Sequence, residues 1–409
     1  MSFLRARLGL LPALLALALV LPACDSADVV EPPPPPVGPL FAGVDFGRLF
    51  GPPTAEEVAA IAADWDARNT TASSARVVSQ AAVPGATLYV VEHETTIANG
   101  PNATHYGVVR VPDGAEGAPV LVVHHGGDDG FSVAAATSNT GVLNFAAVFG
   151  PIAAQTVQVF PVYRSETINT SALPALGGPY TASGDPSPWD YDVDDSMALL
   201  DAALGLFDDE TDGDRVAAIG FSRGANVAVL QGVRDDRIDA VVDYYGPTDF
   251  YNTGAQQLAQ ALVLPSSNPQ NQQALGLPGA EFLLGQVLDP LRNDDDTYNA
   301  DADYGPARLA VARRSPGLFA DRLPDLQVHH HYRDVVVFFG FSAAFAERVG
   351  GAAGGSFELF PYGAPPASQA DLSFLFHAPE ATPDMRASIP TALAFLAAEL
   401  GVGTPAPAL

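Results

Sequence analysis

Two hydrophobic periods alternate along this chain. Val120–His124 and Arg215–Phe221 contain continuous apolar runs, which are typical of strands buried on both faces of a sheet. Thr54–Trp65 instead combines a capping box with apolar residues on one helical face. Strands are predicted at residues 87–92, 105–112, 120–124, 156–163, 215–221, 238–244, 325–330 and 356–361. Helices are predicted at residues 54–65, 190–204, 225–231 and 389–400.

The order of these elements predicts the fold class. Strands that alternate with helices form a mostly parallel, twisted sheet with helices on both faces, so we expect an α/β fold. No internal repeat of roughly 20–50 residues is present, which excludes a propeller. An insertion rich in Gln, Asn, Asp and Pro follows the strand at 238–244. It runs from about residue 250 to residue 312 and contains apolar helical stretches at 258–264 and 282–288.

The N-terminus has the pattern of a secretion signal. Arg5 and Arg7 precede an apolar run at residues 8–21, which is too short for a comfortable membrane span. The run ends in Leu21-Pro22-Ala23-Cys24, which resembles the bacterial lipobox. That resemblance implies removal of residues 1–23 and lipidation of Cys24; an ordinary secretory signal is the alternative.

A tether is expected to follow the anchor. Residues 24–39 include the successive prolines 32–36, which favour an extended polyproline II conformation. Cys24 is the only cysteine, so no internal disulfide can form and the fold must depend on its core. Residues 40–409 are predicted to form one enzymatic domain, placed in the cell envelope outside the cytoplasm.

Charge narrows the classes of partner. The chain has 47 acidic and 19 basic residues, all of the latter arginines, and a net charge of −28. Such a protein repels phosphate, so nucleic acid is excluded as a partner, as is electrostatic docking on anionic lipid. We therefore expect contact with a membrane only through the lipid anchor.

The chemistry concentrates at residues 220–224, which read Gly-Phe-Ser-Arg-Gly. This G-x-S-x-G spacing fits a sharp turn between a strand and a helix that pushes the side chain of Ser222 above the sheet. The buried strand 216–219 precedes it and the apolar helix 225–230 follows it, which is the context the motif requires. Ser222 is the predicted nucleophile.

A serine needs a base, and the base needs an orienting carboxylate. In α/β enzymes whose serine lies in a G-x-S-x-G turn, the three residues follow each other along the chain as Ser, then Asp or Glu, then His. After Ser222, histidines occur at 329–331 and at His377. Only His377 follows Asp334, so the order rule selects His377 as the base if Asp334 is the acid. Asp325 is the fallback acid.

These segments resemble the α/β-hydrolases, especially the dienelactone-hydrolase and prolyl-oligopeptidase-like groups. Residues 215–247 resemble their nucleophile region, residues 120–127 their strand that ends in His-Gly, and residues 325–336 their strand that leads to His-Gly-x-x-Asp. Ser315-Pro316 also fits. The resemblance covers about residues 87–400 and implies the α/β-hydrolase fold, with residues 250–312 as a small cap that sets selectivity.

The resemblance also implies an oxyanion hole built from backbone N–H groups. One comes from Arg223, the residue after the nucleophile, and the other from Gly127, with Gly126 as the near alternative.

The chain departs from the family at several positions. His331 stands where the family usually has glycine, and His377 comes later than in members with short loops. If one of the histidines 329–331 were the base, the acid would have to lie upstream, with Asp249 the first candidate. Arg223 and Ala225 replace residues common in peptidase members, which favours an esterase.

Metal and cofactor sites are not expected. Adjacent residues of a strand point to opposite faces, so histidines 329–331 cannot ligate one ion together. The acidic run at 208–214 lacks the glutamate of a calcium loop at its twelfth position, Ile219, and is predicted to be a solvated loop. No nucleotide, haem or flavin site is indicated.

The leading expectation is a secreted serine hydrolase that cleaves a carboxylic ester of a small molecule. A serine exopeptidase of the prolyl-oligopeptidase-like type, acting on short peptides, is the alternative among enzymes. An inactive hydrolase-like lipoprotein that binds a ligand in the cell envelope is the alternative outside enzymes.

Overall fold

The computed structural model describes residues 40–96, 102–127, 129–134, 141–277 and 279–403. The signal peptide, Cys24 and the tether lie outside the described residues. The strands are β1 Ser73–Val83, β2 Ala86–Thr96, β3 Asn102–Pro112, β4 Ala118–His124, β5 Gly130–Ser132, β6 Val157–Pro161, β7 Thr167–Asn169, β8 Tyr180–Thr181, β9 Thr211–Phe221, β10 Ile238–Tyr244, β11 Asp325–His331 and β12 Phe357–Tyr362.

Helices connect these strands. The α-helices are α1 Phe46–Leu49, α2 Ala55–Asp66, α3 Val142–Val148, α4 Gly150–Ala153, α5 Tyr191–Leu206, α6 Arg223–Arg234, α7 Thr253–Leu262, α8 Pro269–Ala274, α9 Ala280–Phe282, α10 Gly305–Arg313, α11 Gly340–Val349, α12 Pro383–Arg386 and α13 Ser388–Glu399. Shorter 3-10 turns include Pro316–Arg322 and Phe374–His377, and Leu283–Leu288 is a π-helical turn.

One nine-stranded sheet organises the molecule, in the order β1-β2-β3-β6-β4-β9-β10-β11-β12. The strands from β6 to β12 in this order pair in parallel, whereas β1, β2 and β3 pair antiparallel with their neighbours. Strand β4 precedes β6 in the chain, but in the sheet β6 lies beside β3 and β4 lies between β6 and β9. This exchange of β4 and β6 is the topology of the α/β-hydrolase fold. The predicted fold class is confirmed.

Each face of the sheet is covered by helices over its own core. Helices α5, α6 and α11 pack on one face, where Val193, Val227 and Phe345 are fully buried. Helices α3, α4 and α13 pack on the other face. Strand β4, residues 216–221 of β9 and most of β10 are buried on both faces, and their residues are mostly apolar, as the hydrophobic runs predicted.

The structure also differs from the sequence prediction: the short strands β5, β7 and β8 were not predicted, and two strands of the large sheet differ. Strand β1 was not predicted, because it is an edge strand whose mostly half-exposed or exposed residues give no apolar run. The acidic run at 208–214 was predicted to be a solvated loop, and this prediction is wrong for its second half. Strand β9 already begins at Thr211, which pairs with Ala118 of β4.

Residues 253–313, between β10 and β11, form α7 to α10 and the turns between α9 and α10. The apolar stretches predicted at 258–264 and 282–288 overlap α7 and the π-helical turn, respectively. Among the helices of the described residues, none has the length and apolar character needed to cross a bilayer.

Candidate active site

The carboxyl ends of the parallel strands place the candidate residues at one edge of the sheet. His125 follows β4, Ser222 follows β9, Tyr245 follows β10 and Asp334 lies shortly after β11. His377 comes later, in the 3-10 turn Phe374–His377 that follows β12. Ligand sites of open parallel sheets form at this edge, because the side chains after successive strands converge there.

Ser222 occupies a strained turn between β9 and α6, with φ 55° and ψ −124°. The turn requires both flanking glycines. A Cβ atom on Gly220 would lie 2.2 Å from the carbonyl oxygen of Gly224, and one on Gly224 would lie 2.3 Å from that of His125. The N–H of Ser222 donates to the carbonyl of Tyr244 at 2.9 Å, which ties the turn to β10. Backbone strain of this kind is characteristic of functional turns.

Asp334 and His377 form a hydrogen-bonded pair. The Nδ1 atom of His377 lies 2.6 Å from Oδ2 of Asp334, whose side chain is fully buried. The other carboxylate oxygen, Oδ1, accepts the N–H groups of Val336 at 2.7 Å and Val337 at 3.2 Å. A carboxylate accepts a proton donor, so Nδ1 of His377 carries the hydrogen and Nε2 is left with the lone pair of a base.

The three consecutive histidines of β11 point to different surroundings. His330 is buried, with Nδ1 2.7 Å from Oγ of Ser342 and Nε2 2.8 Å from the carbonyl oxygen of Val337. Burial lowers the pKa of His330 to about 4 and that of His329 to about 3. His329 is hydrogen-bonded to the hydroxyl of Tyr362, and His331 stacks on Phe376 at 3.8 Å. No cluster of three or more possible metal-ligating side chains occurs among the described residues.

Neither the N–H of Arg223 nor that of Gly127 has a protein acceptor among the described residues, and the same holds for the N–H of Gly126, the alternative donor. The N–H of Arg223 belongs to the first turn of α6, where the helix dipole favours negative charge. Nδ1 of His125 donates to the carbonyl of Gly126 at 3.0 Å. In a trans peptide the C=O and N–H point in opposite directions, so the N–H of Gly127 points away from the buried His125 ring.

A cavity of about 830 Å³ opens over this edge of the sheet, and Ser222 and His377 both line it. Its lining is largely apolar and aromatic, and the segment between α8 and the π-helical turn contributes one side of it. The lining residues are Gly126, Gly127, Asp129, Ser165, Glu166, Pro186, Pro188, Trp189, Phe221, Ser222, Arg223, Tyr245, Leu275, Gly276, Leu277, Gly279, Glu281, Phe282, Val336 and His377.

Sequence reasoning missed several residues at this site. The ring of Tyr245 lies 4.2 Å from that of His377, between centroids, and its φ is 50°. Its place at the carboxyl end of a buried strand was the available signal. Glu166 and Asp192, which pair with the side chain of Arg223, carried no local signal at all.

The sheet order and the strained serine turn define the class of this protein, which has the α/β-hydrolase fold. Solved structures similar to it include acetyl xylan esterase 1 from Thermoanaerobacterium sp. JW/SL YS485, at 16% identity over 80% of this chain and 94% of that chain, with a TM-score of 0.47. An S-formylglutathione hydrolase from Agrobacterium tumefaciens is 16% identical over 80% and 100% of the two chains, with a TM-score of 0.42. A puromycin hydrolase is 14% identical over 80% and 48%, with a TM-score of 0.46.

No protein-family model matches the chain, and no curated protein matches it either. Identities of 14–16% and TM-scores below 0.5 carry no weight for the activity. The chemistry has to be inferred from the site itself.

Proposed function

We propose that this protein is a serine hydrolase that cleaves a carboxylic ester through a covalent acyl-enzyme. One observation carries the proposal. Ser222 in its strained turn and His377 line one cavity, and His377 is hydrogen-bonded at 2.6 Å to the buried carboxylate of Asp334. These are the nucleophile, base and orienting acid that acyl transfer requires.

Acylation begins when Oγ of Ser222 attacks the carbonyl carbon of the ester while Nε2 of His377 takes the hydroxyl proton. The new C–O bond turns the carbonyl oxygen into an oxyanion, which the N–H groups of Arg223 and Gly127 stabilise. Asp334 stabilises the imidazolium that forms. The bond to the leaving oxygen then breaks, His377 returns the proton to that oxygen, and the alcohol departs.

Deacylation repeats these steps with water. His377 removes a proton from a water molecule, whose oxygen attacks the acyl carbon of the Ser222 ester. The second tetrahedral intermediate collapses as His377 protonates Oγ of Ser222, and a carboxylic acid leaves. Because the same base serves both halves, turnover depends on the deprotonated form of His377.

The lining supports an ester without negative charge as the substrate class, because it combines apolar side chains with the carboxylates of Asp129 and Glu281. Trp189, Leu277 and Phe282 line the cavity. Among the described lining residues, Arg223 is the one arginine, and it is paired with Glu166 and Asp192, so its charge is not free for a substrate carboxylate. A panel of p-nitrophenyl esters, compared with aminoacyl-p-nitroanilides, separates the esterase from the exopeptidase.

The decisive test is incubation with a fluorophosphonate probe. We expect covalent labelling at Ser222 in the wild type, and neither labelling nor ester turnover in Ser222→Ala. A folded wild-type protein that neither labels nor turns over any ester of the panel would be a binding protein, and the proposal would fail.

We also propose that the mature protein begins at a lipidated Cys24, followed by a proline-rich tether at residues 24–39 and the hydrolase domain at 40–409. The support is the lipobox-like sequence at residues 21–24. Cys24→Ser should release the protein from membranes. Mass spectrometry that finds an unmodified mature N-terminus would contradict this proposal.

A further inference from the structure

The side chain of Arg223 is an unusual neighbour for a nucleophile, because it is mostly buried at the wall of the cavity and fixed by two carboxylates. Its Nη2 donates to Oδ2 of Asp192 at 2.6 Å, and its Nη1 donates to Oε1 of Glu166. Its guanidinium carbon lies 4.8 Å from the centroid of the Tyr163 ring. Burial alone would lower the pKa of Arg223, but the Asp192 and Glu166 carboxylates raise it above its ordinary value. The side chain therefore stays charged and fixed.

The same guanidinium reaches the loop that supplies the second oxyanion donor. Nη1 of Arg223 donates to the carbonyl of Gly127 at 3.2 Å. Gly127 has φ 79° and, its chain neighbours aside, no atom within 4 Å of the position where a Cβ would stand, so that side of the residue is open. The hydrogen bond from Arg223 to its carbonyl therefore restrains a residue that is not packed on that side.

Glu166 holds the Arg223 side of this loop and lies beside His125 on the other side. Its Oε1 accepts from Arg223, while its Oε2 lies 3.4 Å from Nε2 of His125. His125 in turn donates to the carbonyl of Gly126 at 3.0 Å. Two successive carbonyl groups of the loop are thus held by side chains, that of Gly126 by His125 and that of Gly127 by Arg223, and Arg223 is itself paired with the buried carboxylate of Glu166.

We propose that Arg223 and Glu166 act as positioning residues, which together with His125 fix the peptide between Gly126 and Gly127 so that its N–H faces the oxyanion. The inference rests on the proposed function and extends it, because it gives the side chain of Arg223 a role separate from that of its backbone N–H. Oxyanion stabilisation is sensitive to donor placement, and a displacement of about 1 Å can reduce the rate about 100-fold.

Arg223→Lys tests the proposal, because lysine keeps the positive charge but cannot reach Glu166, Asp192 and the Gly127 carbonyl together. We expect kcat for p-nitrophenyl butyrate to fall roughly 10- to 100-fold, with KM changed less than about twofold. The affinity for a trifluoromethyl ketone, whose adduct with Ser222 carries an oxyanion, should fall by the same factor. The pH midpoint of kcat/KM should not move, because His377 does not belong to the Arg223–Glu166 ion pair and lysine keeps the positive charge.

Glu166→Gln is the second variant, since it keeps the shape of the side chain and tests the pair even if Arg223→Lys does not fold. We expect a smaller loss of kcat in the same direction, of roughly 3- to 10-fold. The matched control is Glu57→Gln. Glu57 also receives two hydrogen bonds from one arginine, Arg308, at 2.7 and 2.8 Å, and it links α2 to α10 away from the cavity lining. Its kcat should stay within twofold of the wild type.

The inference is overturned if folded Arg223→Lys and Glu166→Gln keep kcat and trifluoromethyl ketone affinity within twofold of the wild type. It is also overturned if KM rises while kcat is unchanged, because the pair would then bind substrate instead of orienting the loop. These outcomes leave the proposed function intact. A wild-type protein that hydrolyses no ester and is not labelled at Ser222 would instead overturn the proposed function and this inference together.

Discussion

Replacing His377 and His330 in turn should separate catalysis from stability. His377→Ala removes the only histidine among the described residues that lines the cavity of Ser222. Without a proton acceptor, kcat should fall by about four to six orders of magnitude. The fold loses little, because Oδ1 of Asp334 keeps its hydrogen bonds from two backbone N–H groups. We expect the free energy of unfolding to drop by about 1–2 kcal/mol.

His330→Ala should have the opposite profile. Its ring is fully buried and is hydrogen-bonded to Ser342 and to the carbonyl of Val337. Its removal leaves both partners unsatisfied, at about 1–3 kcal/mol each, and opens a cavity, so a loss of about 3–6 kcal/mol is expected. Since Val337 also donates to Asp334, kcat should fall modestly, by roughly tenfold or less.

The assay pairs p-nitrophenyl butyrate turnover with urea unfolding of each variant, after circular dichroism has shown that the variant is folded. The assignment is refuted if His377→Ala keeps near-normal kcat while folded His330→Ala is inactive. The base would then lie among residues 329–331, and the acid would have to be sought upstream. The first candidate, Asp249, accepts a hydrogen bond from Arg348 at 2.6 Å, so its carboxylate is already paired with an arginine.

Three further outcomes are expected. Ser222→Gly should be inactive yet more stable than Ser222→Ala by about 1 kcal/mol in urea unfolding, because glycine relieves the φ of 55°; equal stability of the two variants would show that the turn is not strained. Burial raises the pKa of Asp243 to about 7, so its carboxylate destabilises the folded state as pH rises towards 7. Asp243→Asn should therefore gain about 2 kcal/mol more over the wild type at pH 8 than at pH 5.5, and a gain that does not change with pH would be inconsistent with this. Burial lowers the pKa of six histidines, 93, 105, 124, 125, 329 and 330, to about 3 or about 4, so the unfolded chain binds protons more strongly and the fold loses stability below pH 6.5. The loss from pH 7 to pH 5 is on the order of 10 kcal/mol, partly offset by buried aspartates, so circular dichroism should show cooperative unfolding above pH 4; a native spectrum at pH 4 would refute this.

The sequence predicts the centre of the sheet better than its edge. Strands β4 and β10 and the second half of β9 are buried on both faces, and this burial requires a mostly apolar run that is visible in the sequence alone. Strand β1 lies at the edge, where exposed positions accept polar residues and the pattern disappears. The start of β9 was missed for a related reason, since its first residues are acidic but pair with β4.

The residues of the candidate site likewise fall into those that a local sequence pattern predicts and those that it does not. The serine turn has a local pattern because two glycines must flank it, and the order rule then places Asp334 and His377 together, as they lie in the structure. The pair of Arg223 with Glu166 and Asp192 joins residues 57 and 31 positions apart in the chain. Contacts of this range depend on how β6, α5 and α6 pack, so no short pattern could have predicted them.

The segment that carries His377 is exposed along much of its length, which affects how the protein would fail. Residues 363–368, Phe374 and Leu375 are exposed, and contacts that hold the turn include the bridge between Ser373 and Asp334, the stacking of Phe376 on His331 and the hydrogen bond of His377 to Asp334. Such a segment can detach locally at a far smaller cost than global unfolding. Heating should therefore abolish activity while the sheet is still folded. A single proteolytic cut in this segment would likewise leave a folded but inactive protein. Shelf life and melting temperature would then be separate properties, and engineering one would leave the other unchanged.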